Sequence, residues 1–234
     1  MSPIIDMSAV TKTYGKTLAL DGFDLRVEAG QVHGFLGPNG AGKTTTMRVL
    51  LGLLQIQAGT VQVFGLDPWR DTPAIHARLA YVPGDVAMWP NLTGGETLDI
   101  LARLHGTVSN REKWLELFDL DPTKKCRTYS KGNRQKVALV SAFAADAELM
   151  ILDEPTSGLD PLVEEAFAQA IRDEHERGKT ILLSSHIMSE VERLCDHVSI
   201  IKDGRLADSG PLTAFSGGEK TLRSAFLEHY GDQS

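Results

Sequence analysis

The stretch "VHGFLGPNGAGKTTTMRVLLGLL", residues 32–54, decides the fold. A short apolar run leads into a loop carrying Gly37, Pro38, Gly40 and Gly42, and Met47, Leu50, Leu51 and Leu54 then recur at helical spacing over 43–54. Strand, glycine-rich loop and helix follow in that order. The loop reads G-x-x-x-x-G-K-T at Gly37, Gly42, Lys43 and Thr44, which is a P-loop. Glycines let successive backbone N–H groups converge on phosphate oxygens, and the helix that follows adds its positive dipole end. The residues from Gly37 through Pro38, Asn39, Gly40, Ala41, Gly42, Lys43, Thr44 and Thr45 are therefore the expected phosphate cradle. Lys43 would neutralise β and γ phosphates, and the Thr44 hydroxyl would ligate Mg²⁺. A chance glycine-rich turn would share the composition but not both flanking elements.

Outward from the loop, residues 1–36 hold alternating runs ("IIDMSAVTKTYG", "LALDGFDLRVEAG", "VHGFLG") broken at Gly15, Gly22 and Gly30, which predict strands joined by turns. "TVQVFG" at 60–65 returns to strand alternation. Residues 93–146 read as three helical segments. Strand-like "LMIL" (149–152), "TILLSS" (180–185) and "HVSII" (197–201) follow, separated by helical stretches at 161–177 and 187–195. Strands alternating with helices predict an α/β fold with a mostly parallel sheet. The expected division is an α/β core of residues 1–85 and 147–215 with an N-terminal antiparallel β subdomain, a helical insert at 86–146, and a C-terminal helix within 216–234.

Composition narrows the class. The chain has 234 residues, 42% of them hydrophobic, enough for a sizeable core. A formal net charge of -7 argues against a nucleic-acid binder, which would present a basic face. There is no run of about 18 apolar residues and no secretory leader, so a cytoplasmic chain is expected. Cys126 and Cys195 stand far apart without a second metal-type pair, which points to buried or incidental thiols.

"LMILDEP" at 149–155 puts two carboxylates directly after an apolar strand. Asp153 would hold a metal through water, and Glu154 would orient or deprotonate an attacking water. A polar loop capping a buried strand would look the same in isolation. Beside a P-loop the chemical reading gains weight, because parallel sheets bring strand C-terminal ends together where ligands bind. "TILLSS" ends at His186, in the same position relative to its strand.

Three stretches put a hydroxyl residue and one or two glycines ahead of an apolar, helix-like run: "TGGE" at 93–96, "YSKGNRQK" at 129–136 and "SGGE" at 216–219. Thr93 with Glu96, and Ser216 with Glu219, each fit the S/T-x-x-E capping box of an ordinary helix start.

Together these motifs resemble the ATP-binding cassette family, the nucleotide-binding subunits of ABC transporters, over nearly the whole chain to about residue 215. Besides the P-loop, the resemblance rests on "YSKGNRQKV" as the family's signature loop, "LMILDEP", "SGLD" at 157–160 as its D-loop, and His186 as its switch histidine. The resemblance implies ATP and Mg²⁺ as ligands and Tyr14 as the aromatic on which adenine stacks. It also implies that the signature residues Ser130, Lys131, Gly132 and Asn133 complete the ATP site of a second cassette packed head to tail. Ser157, Gly158, Leu159 and Asp160 would lie between the two. Lys131 stands where the family commonly has glycine, Asn133 where it has glutamine, and Gly84 in "YVPGD" where it has a glutamine that contacts Mg²⁺ and lines the permease groove. Two explanations then stand: Asp85 reaches the metal or its water, or water alone fills the place, Asp85 being an exposed turn carboxylate, while residues 84–92 couple to the permease.

The function implied is an ATPase that drives a separate integral membrane permease from the cytoplasmic face, without membrane insertion of its own. "YVPGDVAMWPNLTGGE" and "YSKGNRQKVAL" look most like cassettes of ABC-2 type exporters, including drug-efflux systems. A soluble cassette acting as an assembly or scaffold factor is the alternative. A P-loop kinase or GTPase would leave the signature unexplained, and no N-K-x-D guanine-reading motif occurs. The single P-loop disfavours the tandem-cassette translation factors.

Overall fold

The computed structural model describes residues 3–106, 110–215 and 221–230. In chain order, β1 (Ile5–Tyr14), β2 (Thr17–Val27) and β3 (Val32–Leu36) precede α1 (Lys43–Leu50). Then come β4 (Ala58–Val63), α2 (Thr72–His76) and β5 (Leu79–Val82). Three helices follow, α3 (Gly94–His105), α4 (Arg111–Leu117) and α5 (Lys131–Ala144). The remainder runs β6 (Leu149–Asp153), α6 (Pro161–Glu176), β7 (Thr180–Ser185), α7 (Met188–Leu194), β8 (His197–Lys202), β9 (Arg205–Pro211) and α8 (Leu222–Tyr230).

Every residue of β3, β6 and β7 is buried. Such strands, apolar on both faces, suit the middle of a parallel sheet covered on both sides. They lie in a six-stranded sheet of order β5-β6-β7-β3-β8-β9, parallel except for β9. The order β2-β1-β4 makes a separate antiparallel sheet of three strands.

Alternation along the strands splits the core in two. Leu149, Ile151, Leu182 and Phe35 face the small sheet and α1, packing with Phe23, Met47 and Leu50. Met150, Leu152, Ile181 and Leu183 face the opposite side. There Phe143 of α5 meets Trp114 at 4.9 Å, Phe118 at 5.7 Å and Phe167 of α6 at 6.2 Å between ring centroids. This aromatic cluster fastens the inserted helices to the core. Phe143→Ala would cost about 3–5 kcal/mol through the cavity it leaves.

The parallel register sets the site. Asp153 pairs with Ser184, and Leu36 with Ser185. The C-terminal ends of β3, β6 and β7 therefore finish level, each opening into a loop on the same edge.

The helix expected over 43–54 stops at Leu50, because Gly52 adopts a left-handed conformation (φ 67°) and closes it. Gly52 N–H donates to Val49 O and Leu53 N–H to Arg48 O, the two bonds of a Schellman motif. The short α2 and both edge strands of the larger sheet, β5 and β9, add to the expected elements. Thr93 and Glu96 do form a reciprocal capping box on α3. Ser216 and Glu219 lie outside the described residues. The helix beyond them begins at Leu222, where Thr221 and Ser224 exchange side-chain and backbone hydrogen bonds. Cys126 and Cys195 are both buried free thiols.

Candidate functional site

β3 delivers the chain to the P-loop, and α1 begins at Lys43 with Gly42 at φ 117°. A side chain on Gly42 would be strained by that φ and would meet the Ala19 carbonyl at 2.9 Å, so glycine is needed here. Lys43 is buried, and its ammonium donates to the carbonyls of Gly37 (2.7 Å) and Pro38 (3.1 Å). It also lies 3.3 Å from Glu154 Oε1.

Thr44, one residue on, donates its hydroxyl to Asp153 Oδ2 at 2.9 Å. Asp153 is buried at the end of β6, and its other oxygen accepts from the Ser184 hydroxyl at 2.6 Å. The same Ser184 oxygen accepts from the Glu154 N–H at 3.0 Å. Glu154 itself holds φ 46°. For a non-glycine residue this left-handed conformation costs roughly 1–2 kcal/mol, and such strain concentrates at functional sites. Ser184 thus aims Asp153 and pins the backbone of Glu154 through one hydroxyl.

His186 follows β7, with Nδ1 3.4 Å from Glu154 Oε1. That oxygen therefore lies between an ammonium and an imidazole. The turn around His186 is braced from beneath: Ser185 Oγ accepts from the Ile187 N–H at 2.9 Å and donates to the buried Glu190 carboxylate.

The P-loop, Asp153 and Glu154 open onto a cleft of about 540 Å³, within the usual range for a ligand pocket, whereas His186 lines a neighbouring hollow with Ser157, Gly158 and Leu159 on the other side of Glu154. Its walls include Asn39, Gly40, Gly42, Lys43, Thr44, Thr45, Asp153 and Glu154, together with Gly84 and the exposed Asp85. Tyr81 also lines it, its phenol pushed up to about 12 by burial and then by the Asp153 carboxylate, so it stays a hydrogen-bond donor.

Not every predicted residue meets there. Tyr14 is exposed at the end of β1, below the Lys12 ammonium, and the cleft wall is formed instead by Thr17, Leu18 and Ala19 from the same hairpin. Of the signature residues only Lys131 lines the cleft, beside Ser157. Ser130 caps α5, its Oγ accepting from the Asn133 N–H at 3.2 Å. Asp160 caps α6 by accepting from Leu162 and Val163 N–H groups. Ser184, Ser185 and Glu190 escaped the sequence reading. The signal for Ser184 was the hydroxyl pair ending "TILLSS", visible only once the register with Asp153 is known.

The sequence family described as ABC transporter matches residues 20–157, more than half of the chain. A daunorubicin resistance ATP-binding protein of Streptomyces coeruleorubidus, DrrA3, is 38% identical over 226 residues, covering 92% of this chain and 72% of that protein. A Nod factor export ATP-binding protein of Cupriavidus metallidurans is 36% identical over 241 residues, covering 100% and 78%. Among solved structures, the dimeric post-hydrolysis state of the ATP-binding cassette MJ0796, bound to ADP and Pi, is similar with a TM-score of 0.79 at 25% identity, covering 89% of this chain and 98% of that one.

Proposed function

This chain belongs to the ABC transporter family, and from that premise we propose how its residues divide the work. It is an ATP-binding, ATP-hydrolysing subunit of an exporter-type transporter, like relatives named for drug resistance and Nod factor export. The observation that carries the site reading is the bond between Thr44 and Asp153, which are 109 residues apart in sequence and joined at 2.9 Å.

In this reading the P-loop from Gly37 to Thr45 cradles the phosphates and Lys43 neutralises them. Thr44 and Asp153 supply hard oxygen donors suited to Mg²⁺. Mg²⁺ takes one or two protein oxygens and completes its shell with water and phosphate. Bound there, Mg²⁺ would neutralise charge on the β and γ phosphates. Glu154 orients or deprotonates the attacking water, and His186 contacts the same carboxylate. Tyr14 offers its exposed ring to adenine.

The second half of each site comes from a partner cassette. Ser130 and the Gly132 backbone, at the start of the 14-residue α5, donate to a γ-phosphate held by the other chain, with Ser157 to Asp160 at the junction. Residues 86–146 act as the helical unit that carries this edge. No helix among the described residues is long and apolar enough to cross a membrane. As a subunit of an exporter-type transporter, the cassette works with an integral membrane permease and sits peripherally on its cytoplasmic side.

Two measurements test this. Phosphate release from MgATP by the chain with its copurifying membrane protein should fall at least about 100-fold in Asp153→Asn, the scale of losing an essential site group. Pull-down from solubilised membranes should bring a multi-span protein. Full turnover in Asp153→Asn would remove the metal role, and a chain recovered with no membrane partner would favour the assembly-factor reading.

A further inference from the structure

Three contacts fasten the start of α5 to the loop after β6. Gln135 Nε2, buried, donates to the Pro155 carbonyl at 3.0 Å. A side chain on Gly132 would lie 2.6 Å from the Gly158 carbonyl, so the two backbones pass as closely as glycine allows. Lys131 makes the third contact: its ammonium donates to Ser157 Oγ at 2.7 Å. Its stem crosses Gly158, with Cδ and Cγ 3.3 and 3.5 Å from where a Cβ on that glycine would be.

We propose that Lys131 is a positioning residue, a releasable clasp that holds the loop following Glu154 against α5 by way of Ser157. The first two contacts are buried or made by backbone, and they cannot be given up without moving the helix. Lys131 is exposed, its ammonium is a mobile point charge on a flexible stem, and it can exchange a neutral hydroxyl for a phosphate oxygen. What it holds is close to the chemistry. Ser157 N–H donates to the Glu154 carbonyl at 3.1 Å and Leu159 N–H to the Thr156 carbonyl at 3.0 Å, so the turn carrying Ser157 begins at Glu154 itself. Lys131 and Ser157 share the wall of the cleft that holds Lys43 and Glu154. A glycine at 131 could not make this contact.

The release step rests on the reading that Ser130 to Asn133 meets a partner's phosphate; the clasp itself is a contact within one chain. Amide hydrogen exchange of the full chain without nucleotide tests the clasp directly. Lys131→Met keeps the stem over Gly158 and removes the donor, while Ser157→Ala removes the acceptor. Each should speed exchange at Leu159 about 5-fold or more, the scale of losing one hydrogen bond from a local opening equilibrium. The double variant should go no further than either single one, since both remove the same bond. Lys131→Arg should keep exchange slow. In turnover assays Lys131→Met should lower kcat with KM for ATP unchanged, a split that general destabilisation would not give. Unchanged exchange in both single variants, or additive effects in the double, overturns the proposal. Whether MgATP dimerises the chain is read separately by size, so failure of the partner reading leaves the exchange result standing.

Discussion

The Lys43 ammonium lies 3.3 Å from Glu154 Oε1 while donating to two carbonyls of its own loop. A nucleotide phosphate must draw this ammonium away from the carboxylate. Charge removal at Glu154 therefore acts on binding and on chemistry in opposite senses. Glu154→Gln should bind ATP at least as tightly as the native chain, yet hydrolyse it roughly 10²–10⁴-fold more slowly, the range for loss of a general base. Equilibrium titration with a fluorescent ATP analogue and a single-turnover assay separate the two. Retained hydrolysis would take Glu154 out of the chemical step.

The Glu154→Gln chain also exposes the partner contact. MgATP should convert it to a dimer, seen as a doubling of mass by light scattering. Adding Ser130→Arg should abolish that, because a bulky cation would occupy the position offered to the phosphate. Ser130 also caps α5, and losing such a cap costs about 1 kcal/mol. Ser130→Ala is thus the control that removes the cap without the bulk. A Ser130→Arg double variant that still dimerises would reduce "SKGN" to a helix start.

The limits of the sequence reading follow the same physics. Gly37, Gly42, Lys43 and Thr44 were legible because their spacing within one loop is itself the chemistry. Asp153 and Glu154 were legible because an apolar strand ending in two carboxylates is a local pattern. Ser184 was not, since its meaning depends on the β6–β7 register, which no local pattern encodes. The same holds for Lys131 and Ser157, 26 residues apart and joined only by the packing of α5 on the loop after β6. β9 carries no apolar alternation to read, since its residues are exposed or half-buried. In α1 the apolar periodicity overruns the helix, because Leu51 and Leu54 continue it past the Gly52 stop.

His33 supplies a pH-dependent term in stability. It is buried in β3, with Nε2 2.9 Å from Ser199 Oγ and its ring stacked on His197 at 6.3 Å. Burial, then the charge of His197, pushes it from 6.5 down to about 3. The unfolded chain takes up a proton near pH 6.5 that the folded chain refuses until about pH 3. Stability is therefore fully present above 6.5 and is lost as pH falls through that window, at up to about 1.4 kcal/mol per pH unit for one proton. His105, also lowered by burial and then by His76, adds to the slope. Denaturant unfolding between pH 7 and 5 should show the decline, and His33→Leu should flatten it. An equal slope in the variant would assign the loss to other groups.

Gly84 leaves the metal side of the cleft without a side chain. A Cβ at this position would sit 3.2 Å from the Asp153 carbonyl oxygen and 3.8 Å from its carboxylate carbon, so a side chain built here would start beside the proposed Mg²⁺ donors. Asp85, next in the chain, is exposed and lines the same cleft. If its carboxylate reaches the metal or a metal-bound water, Asp85→Ala should raise the Mg²⁺ needed for half-maximal ATPase activity. The rise should be a few-fold and no more, because Mg²⁺ tolerates water in place of one protein ligand. Gly84→Gln in the same background should bring the requirement back down, once the chain has moved a few tenths of an ångström to admit the Cβ. The assay belongs in the permease-bound complex, where a second outcome can be seen. An unchanged Mg²⁺ requirement with lost stimulation by the permease would assign residues 84–92 to coupling and leave Thr44 and Asp153 as the protein's metal contacts.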